Sequence, residues 1–172
     1  MPELLTAAIL TVITAATPLV YAALGELVTE KSGVLNLGVE GMMLVGAVCG
    51  FAAVHYSGSA GLGIAAGLLA GTALSLVFAV LALTFQATQV AAGLALTLFG
   101  IGLSALLGQD LVGSAYRGLP KLAVPGLSAI PVLGPLLFKH DILVYGSLVL
   151  TGAVVWFLNC TRAGLRLSLI HI

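Results

Sequence analysis

Charge is what this sequence has least of. Six basic and six acidic residues make up 7% of the 172 positions. A water-soluble domain carries about a quarter of its residues as Asp, Glu, Lys and Arg. So little charge leaves too little polar surface to clothe a soluble globule, and that class is excluded. Between Gly41 and Gln109 no charged residue occurs at all, while 60% of the chain is hydrophobic. Lipid as the outer solvent removes the deficit. Also missing is any series of roughly ten-residue alternating segments, which a membrane barrel would need. Helices are then the remaining way to satisfy backbone N–H and C=O groups inside hydrocarbon. A formal net charge of zero offers neither a nucleic-acid footprint nor an electrostatic attachment to headgroups. The two cysteines, Cys49 and Cys160, sit in apolar stretches and read as small packing residues. Met1-Pro-Glu lacks the basic start of a secretory signal, so the first apolar stretch reads as a retained span.

The expected fold is all-α: a polytopic transmembrane helical bundle of about five spans. Leu4–Gly25 is uncharged and long enough to cross a core of about 30 Å. Pro18 within it predicts a kink, and Glu26–Lys31 a first polar connection. The uncharged run 41–109 would measure roughly 100 Å as one helix, so it must fold back on itself. Polar clusters at His55–Gly61 and Gln86–Gln89 mark the turns, giving spans over 34–55, 62–85 and 90–108. Four prolines and four charges between Asp110 and His140 predict a loop there, with Leu122–Phe138 looped or re-entrant. The fifth span is Ile142–Cys160, with Trp156 suited to an interfacial anchor. Arg162 and Arg166 after it favour a cytoplasmic end, which places the amino terminus outside. Within the spans Gly63, Gly67 and Gly71 fall four apart, as do Gly46 and Gly50. That spacing permits close helix approach in a membrane, or reflects ordinary small-residue packing.

The most unusual stretch is Gly25–Gly41, where glycines and Asn36 interrupt an apolar pattern and Glu40 opens the uncharged run. An ionised carboxylate at the bilayer centre costs about 2.5–3.5 kcal/mol on insertion scales, so it is kept where it faces water, a partner or the bundle interior. Asn36 and Glu40 would share one face if the segment were helical. Broken helices with free backbone groups are a common way for transporters to build a site at mid-depth. Two placements fit: a position lining such a site, or one near the interface with the carboxylate in water.

Gly33-Val-Leu-Asn-Leu-Gly-Val-Glu-Gly-Met-Met-Leu-Val-Gly46 resembles the signature of an ABC-importer permease family serving simple sugars, nucleosides and branched-chain amino acids. This version is nearest the nucleoside and simple-sugar branch. Gln89–Gly100 resembles the family's central span, and Thr161-Arg-Ala-Gly-Leu-Arg166 the start of its cytoplasmic coupling segment. The likeness runs from Thr17 to Arg166. It implies the N-terminal part (1–166) of a permease transmembrane domain in a bacterial or archaeal cytoplasmic membrane. Implied partners are ATP-binding subunits, a second permease (a different one, on the nucleoside branch) and an extracytoplasmic solute-binding protein. ATP and Mg would act in the ATPase, and this chain has no Gly-x-x-x-x-Gly-Lys-[Ser/Thr] motif. Asn36 and Glu40 would line the substrate path. Arg162, Gly164 and Arg166 would meet the ATPase, with plain positive-inside anchoring as the alternative for the arginines.

Family members are longer, and Leu-Ser-Leu-Ile-His-Ile172 looks like one reading frame of a transposon end used in sequencing libraries. Residues 167–172 are therefore expected to be non-native, His171 is given no role, and the fragment alone is not expected to transport. An ion-coupled secondary transporter is the competing reading, but beyond Glu40 the clear spans offer no ionisable residue for coupling. An intramembrane enzyme would need a nucleophile–base pair that the sequence does not place, with His55 in a turn cluster. A structural scaffold is argued against by the broken segment 33–41.

Overall fold

Among the described residues of the computed structural model, five helices are long and apolar enough to cross a membrane. The structure describes residues 2–116, 118, 121–123 and 139–169. Its helices are α1 (Pro2–Lys31), α2 (Val39–Ser57), α3 (Ala60–Ala79), α4 (Gln89–Gly108), α5 (Ile142–Cys160) and α6 (Arg162–Leu169). A π-helical turn, Val80–Thr84, prolongs α3, and a 3₁₀ turn, Gln109–Leu111, follows α4. Strands β1 (Lys121–Ala123) and β2 (Lys139–Asp141) form a small antiparallel ribbon with Lys121 opposite Asp141. It leaves the all-α class unchanged. Residues 124–138, the greater part of the expected loop or re-entrant piece, lie outside the described residues, as do 170–172 of the expected tail; Leu167–Leu169 continue α6.

The first span is longer than its uncharged run. Pro18 lies inside α1 without ending it, and Glu26–Lys31 are its last turns rather than a connection. Glu, Leu and Lys are good helix formers, so charge alone does not stop the helix. It stops at Gly33, whose φ of 84° is the left-handed conformation that glycine adopts freely. Span three divides into a regular helix and the π turn. Phe85 N–H reaches Val80 C=O and Ala87 N–H reaches Leu81 C=O, closing wide turns before Gln86 at φ 51°. Span five has the expected bounds.

The chain forms two compact units, Gly33–Arg117 and Met1–Ser32 with Gly118–Ile172. In the first, α2 lies between α3 and α4. Its core is Met42, Val45, Leu74, Phe78, Ala82, Ala92 and Leu96, with Cys49 packed against the edge. The contact of α2 with α3 is made by glycine on glycine. A Cβ on Gly67 would lie 3.0 Å from Gly46 C=O, and one on Gly63 would lie 2.9 Å from Gly50 C=O and collide with Val54. The four-residue spacing is thus a close backbone contact, as membrane helices without a hydrophobic drive between them require. Ser57 ends α2, Gly58 turns the chain at φ 69°, and α3 starts at Ala60, as the polar cluster His55–Gly61 indicates. His55 is exposed, between Phe51 and Tyr56.

In the second unit Tyr21 of α1 donates to Leu143 C=O at the start of α5 (2.9 Å), and Asp141 caps α5 by accepting from Val144 N–H (3.1 Å). Gly146 leaves room for the phenol, because a Cβ there would be 2.5 Å from Tyr21 Oη. Trp156 is exposed near the end of α5, consistent with an anchor at the edge of the span.

Gly63→Ala is expected to lower stability by about 1–3 kcal/mol through overpacking. Gly71→Ala, whose Cβ would have its nearest neighbour at 4.0 Å, should be neutral or slightly stabilising. Tm of the purified protein in detergent separates the two.

Candidate substrate path at a broken crossing

Residues 34–36 are neither helix nor strand, and α2 begins only at Val39. The expected helix over 34–55 therefore starts five residues late, and Asn36 and Glu40 do not share a helical face. Gly33 and Gly38, with Asn36 between them, favour turn and extended backbone over helix. Asn36 is buried and folds onto its own segment. Its Oδ1 accepts Gly38 N–H at 3.0 Å, and its Nδ2 lies 3.6 Å from Met42 Sδ. Glu40 stands in the first turn of α2, exposed, with no hydrogen bond or ion pair among the described residues.

What holds the non-helical segment is α4. Gln89 Oε1 accepts Leu35 N–H at 2.8 Å, and Thr97 Oγ1 donates to Leu37 C=O at 2.8 Å. Gly93 lies beneath, where a Cβ would come within 2.8 Å of Leu37 N and 3.0 Å of Gly38 N. Two helical turns beyond Gly93, Gly41 and Gly100 bring the backbones together. A Cβ on Gly100 would be 2.5 Å from Gly41 Cα, and one on Gly41 would be 2.8 Å from Thr97 Cα. Beyond that point α2 and α4 run in the same direction, with Val48 Cγ2 3.4 Å from the Cβ position of Gly108.

These contacts set a height along α4 that the sequence left open. Gln89 opens α4 and Gly108 closes it, a length of about 30 Å. Thr97 is eight residues from the start, about 12 Å in, and Gly100 about 16 Å in. Gly41, and Glu40 beside it, therefore lie level with the middle of α4. A non-helical piece lies along the first part of α4, and α2 along the remainder.

Arg162, Gly164 and Arg166 lie in a second corner, between α5 and α6. Thr161 Oγ1 donates to Phe157 C=O at 2.6 Å and accepts Gly164 N–H at 3.0 Å, so one hydroxyl both ends α5 and starts α6. Gly164 is buried because a Cβ there would collide with Phe157 C=O and lie 2.7 Å from Leu158 Cα. Arg162 and Arg166, four residues apart, are both exposed on one side of α6. Gln89, Gly93, Thr97 and Gly100 are functional candidates that were not singled out individually from sequence. The small residues at 93, 97 and 100 mark one face of α4 by helical spacing, which is the signal that could have found them.

A helical membrane bundle whose backbone is broken ahead of one span, with polar groups at the break, is a construction of membrane transport proteins. The chain belongs to the permease component family of branched-chain amino acid transport systems, whose model matches residues 8–171. It is 40% identical over 157 residues to the putative glucose ABC transporter permease protein TsgC13 of Haloferax volcanii, covering 89% of this chain and 48% of that protein. It is 35% identical over 170 residues to the guanosine ABC transporter permease protein NupQ of Bacillus subtilis, covering 88% of this chain and 51% of the relative. With the nucleoside ABC transporter permease protein NupC of Lactococcus lactis it shares 30% over 162 residues, covering 88% and 51%. The chain spans about half the length of these relatives. No solved structure matches it.

Gly93→Ala should displace the segment at Leu37 and lower stability by about 1–3 kcal/mol, since Cβ would meet backbone there. Gly102→Ala, facing open space, should leave stability unchanged or slightly raised. Tm of the two variants in detergent compares them.

Proposed function

We propose that this chain is part of the membrane-spanning permease of an ABC importer and that its broken second crossing lines the path of a nucleoside or simple sugar. The observation that carries this reading is the depth of Glu40. A carboxylate level with the middle of a spanning helix, exposed and with no hydrogen bond or ion pair among the described residues, is unfavourable against lipid by about 2.5–3.5 kcal/mol or more. A hydrated path relieves that cost and gives the carboxylate hydroxyl groups to accept from. The names of the relatives, which mention glucose, guanosine and nucleosides, support solutes of that polyhydroxyl kind.

Transport would be driven by ATP hydrolysis, with Mg, in cytoplasmic ATP-binding subunits. A second permease and an extracytoplasmic solute-binding protein would complete the assembly in the cytoplasmic membrane. Arg162, Gly164 and Arg166 would meet the ATPase. The short helix α6, folded tightly on α5 at Gly164 with both guanidinium groups exposed, suits a surface that passes force to the spans.

In the complete transporter, uptake should require ATP and fall at least ten-fold in Glu40→Ala. Wild-type rates in that variant would remove Glu40 from the path and leave the family untouched. Uptake that persists without the ATPase would overturn the importer reading in favour of an ion-coupled carrier. Radiolabelled nucleoside and sugar uptake, with and without ATP, measures both.

A further inference from the structure

A non-helical segment packed on an apolar bundle has a difficulty that a helix avoids, because its N–H and C=O groups need partners from elsewhere. Ahead of α2 two of these groups find them on α4: Leu35 N–H donates to Gln89 Oε1, and Leu37 C=O accepts from Thr97 Oγ1. Leu37 and Gly38 form a turn, in which Asn36 Oδ1 accepts Gly38 N–H. The segment is thus tied to α4 by two side chains.

The two attachments differ. Thr97 is a short side chain in a buried position, and its bond is partly buried. Gln89 is half-exposed at the first position of α4, its bond is exposed, and its long side chain reaches out to Leu35. It also follows the π turn Val80–Thr84 and Gln86 in its left-handed conformation. π turns of this kind are frequent at functional sites. Glu40 is only three residues beyond Leu37, and Gly41 is pressed on Gly100, so the height of Glu40 is set between these two points.

We propose that Gln89 and Thr97 are positioning residues of the transport path: by holding the backbone of Leu35 and Leu37 they fix the depth and direction of Glu40. This rests on the reading of Glu40 as a path residue. The bond at Thr97 sets the height, and the bond at Gln89 holds the segment ahead of it on α4.

The test is a pair of double-mutant cycles in the complete transporter, read as uptake rate and KM at equal membrane abundance. Thr97→Val and Gln89→Met keep side-chain size and remove the hydrogen bond. Each should lower uptake about five-fold in the otherwise wild-type protein, the fold-change of one ordinary hydrogen bond. Thr97→Ser and Gln89→Glu keep the donor and the acceptor and should restore more than half of the rate. In the Glu40→Gln background, Thr97→Val and Gln89→Met should each change the remaining uptake less than two-fold, because groups acting through one residue are not additive. Uptake in Glu40→Gln equal to wild type would remove both the Glu40 assignment and this inference. Reduced uptake in Glu40→Gln, with the other losses multiplying independently, would overturn the inference alone and leave Glu40 on the path. A fall in Tm without any dependence on Glu40 would likewise reduce Gln89 and Thr97 to structural contacts.

Discussion

Every backbone N–H and C=O away from water needs a partner, and the arrangement of this protein follows from how that need is met. Helices meet it internally, which is why five long apolar helices make up most of the described chain. One crossing does not, and there the partners are side chains: Asn36 for Gly38, Gln89 for Leu35, Thr97 for Leu37. Remove the requirement, and there is no reason for a glutamine and a threonine on that face of α4.

Glycine has a complementary part. Between α2 and α3 it removes side chains so that Gly46 and Gly50 meet Gly67 and Gly63. Between α2 and α4, Gly41, Gly93 and Gly100 do the same, bringing the broken segment close enough to be hydrogen-bonded. Close approach and side-chain hydrogen bonding are therefore one device. Neither works without the other, since a Cβ at position 93 would hold the backbone of Leu37 off α4.

The spans were legible in the sequence because hydropathy and length are local quantities. Ile142–Cys160 could be bounded to the residue, since charges and a proline-rich stretch flank it. The end of α1 was not, because Glu26–Lys31 include polar residues that are also good helix formers, so polarity alone does not distinguish a last turn from a connection. Asn36 and Glu40 stood out by type, and the glycines around them marked broken backbone. Their geometry was not legible: a shared face presumes a helix, and the partners that hold 33–38, Gln89 and Thr97, lie more than fifty residues away in sequence. The depth of Glu40 was hidden for the same reason, as it is set by which residues of α4 lie beside Gly41. At the α5–α6 corner the arginines were visible as charge, whereas the contribution of Thr161 appears only once its hydroxyl is seen on both helices.

The broken segment ahead of α2 also bears on the order in which the protein is made. Leu35 finds its hydrogen-bond partner 54 residues later in the chain, and Leu37 finds its partner 60 residues later. Two backbone groups ahead of α2 thus gain their protein partners only once α4 has been synthesised. The final packing of that segment belongs to α2 and α4 together, with α3 made between them.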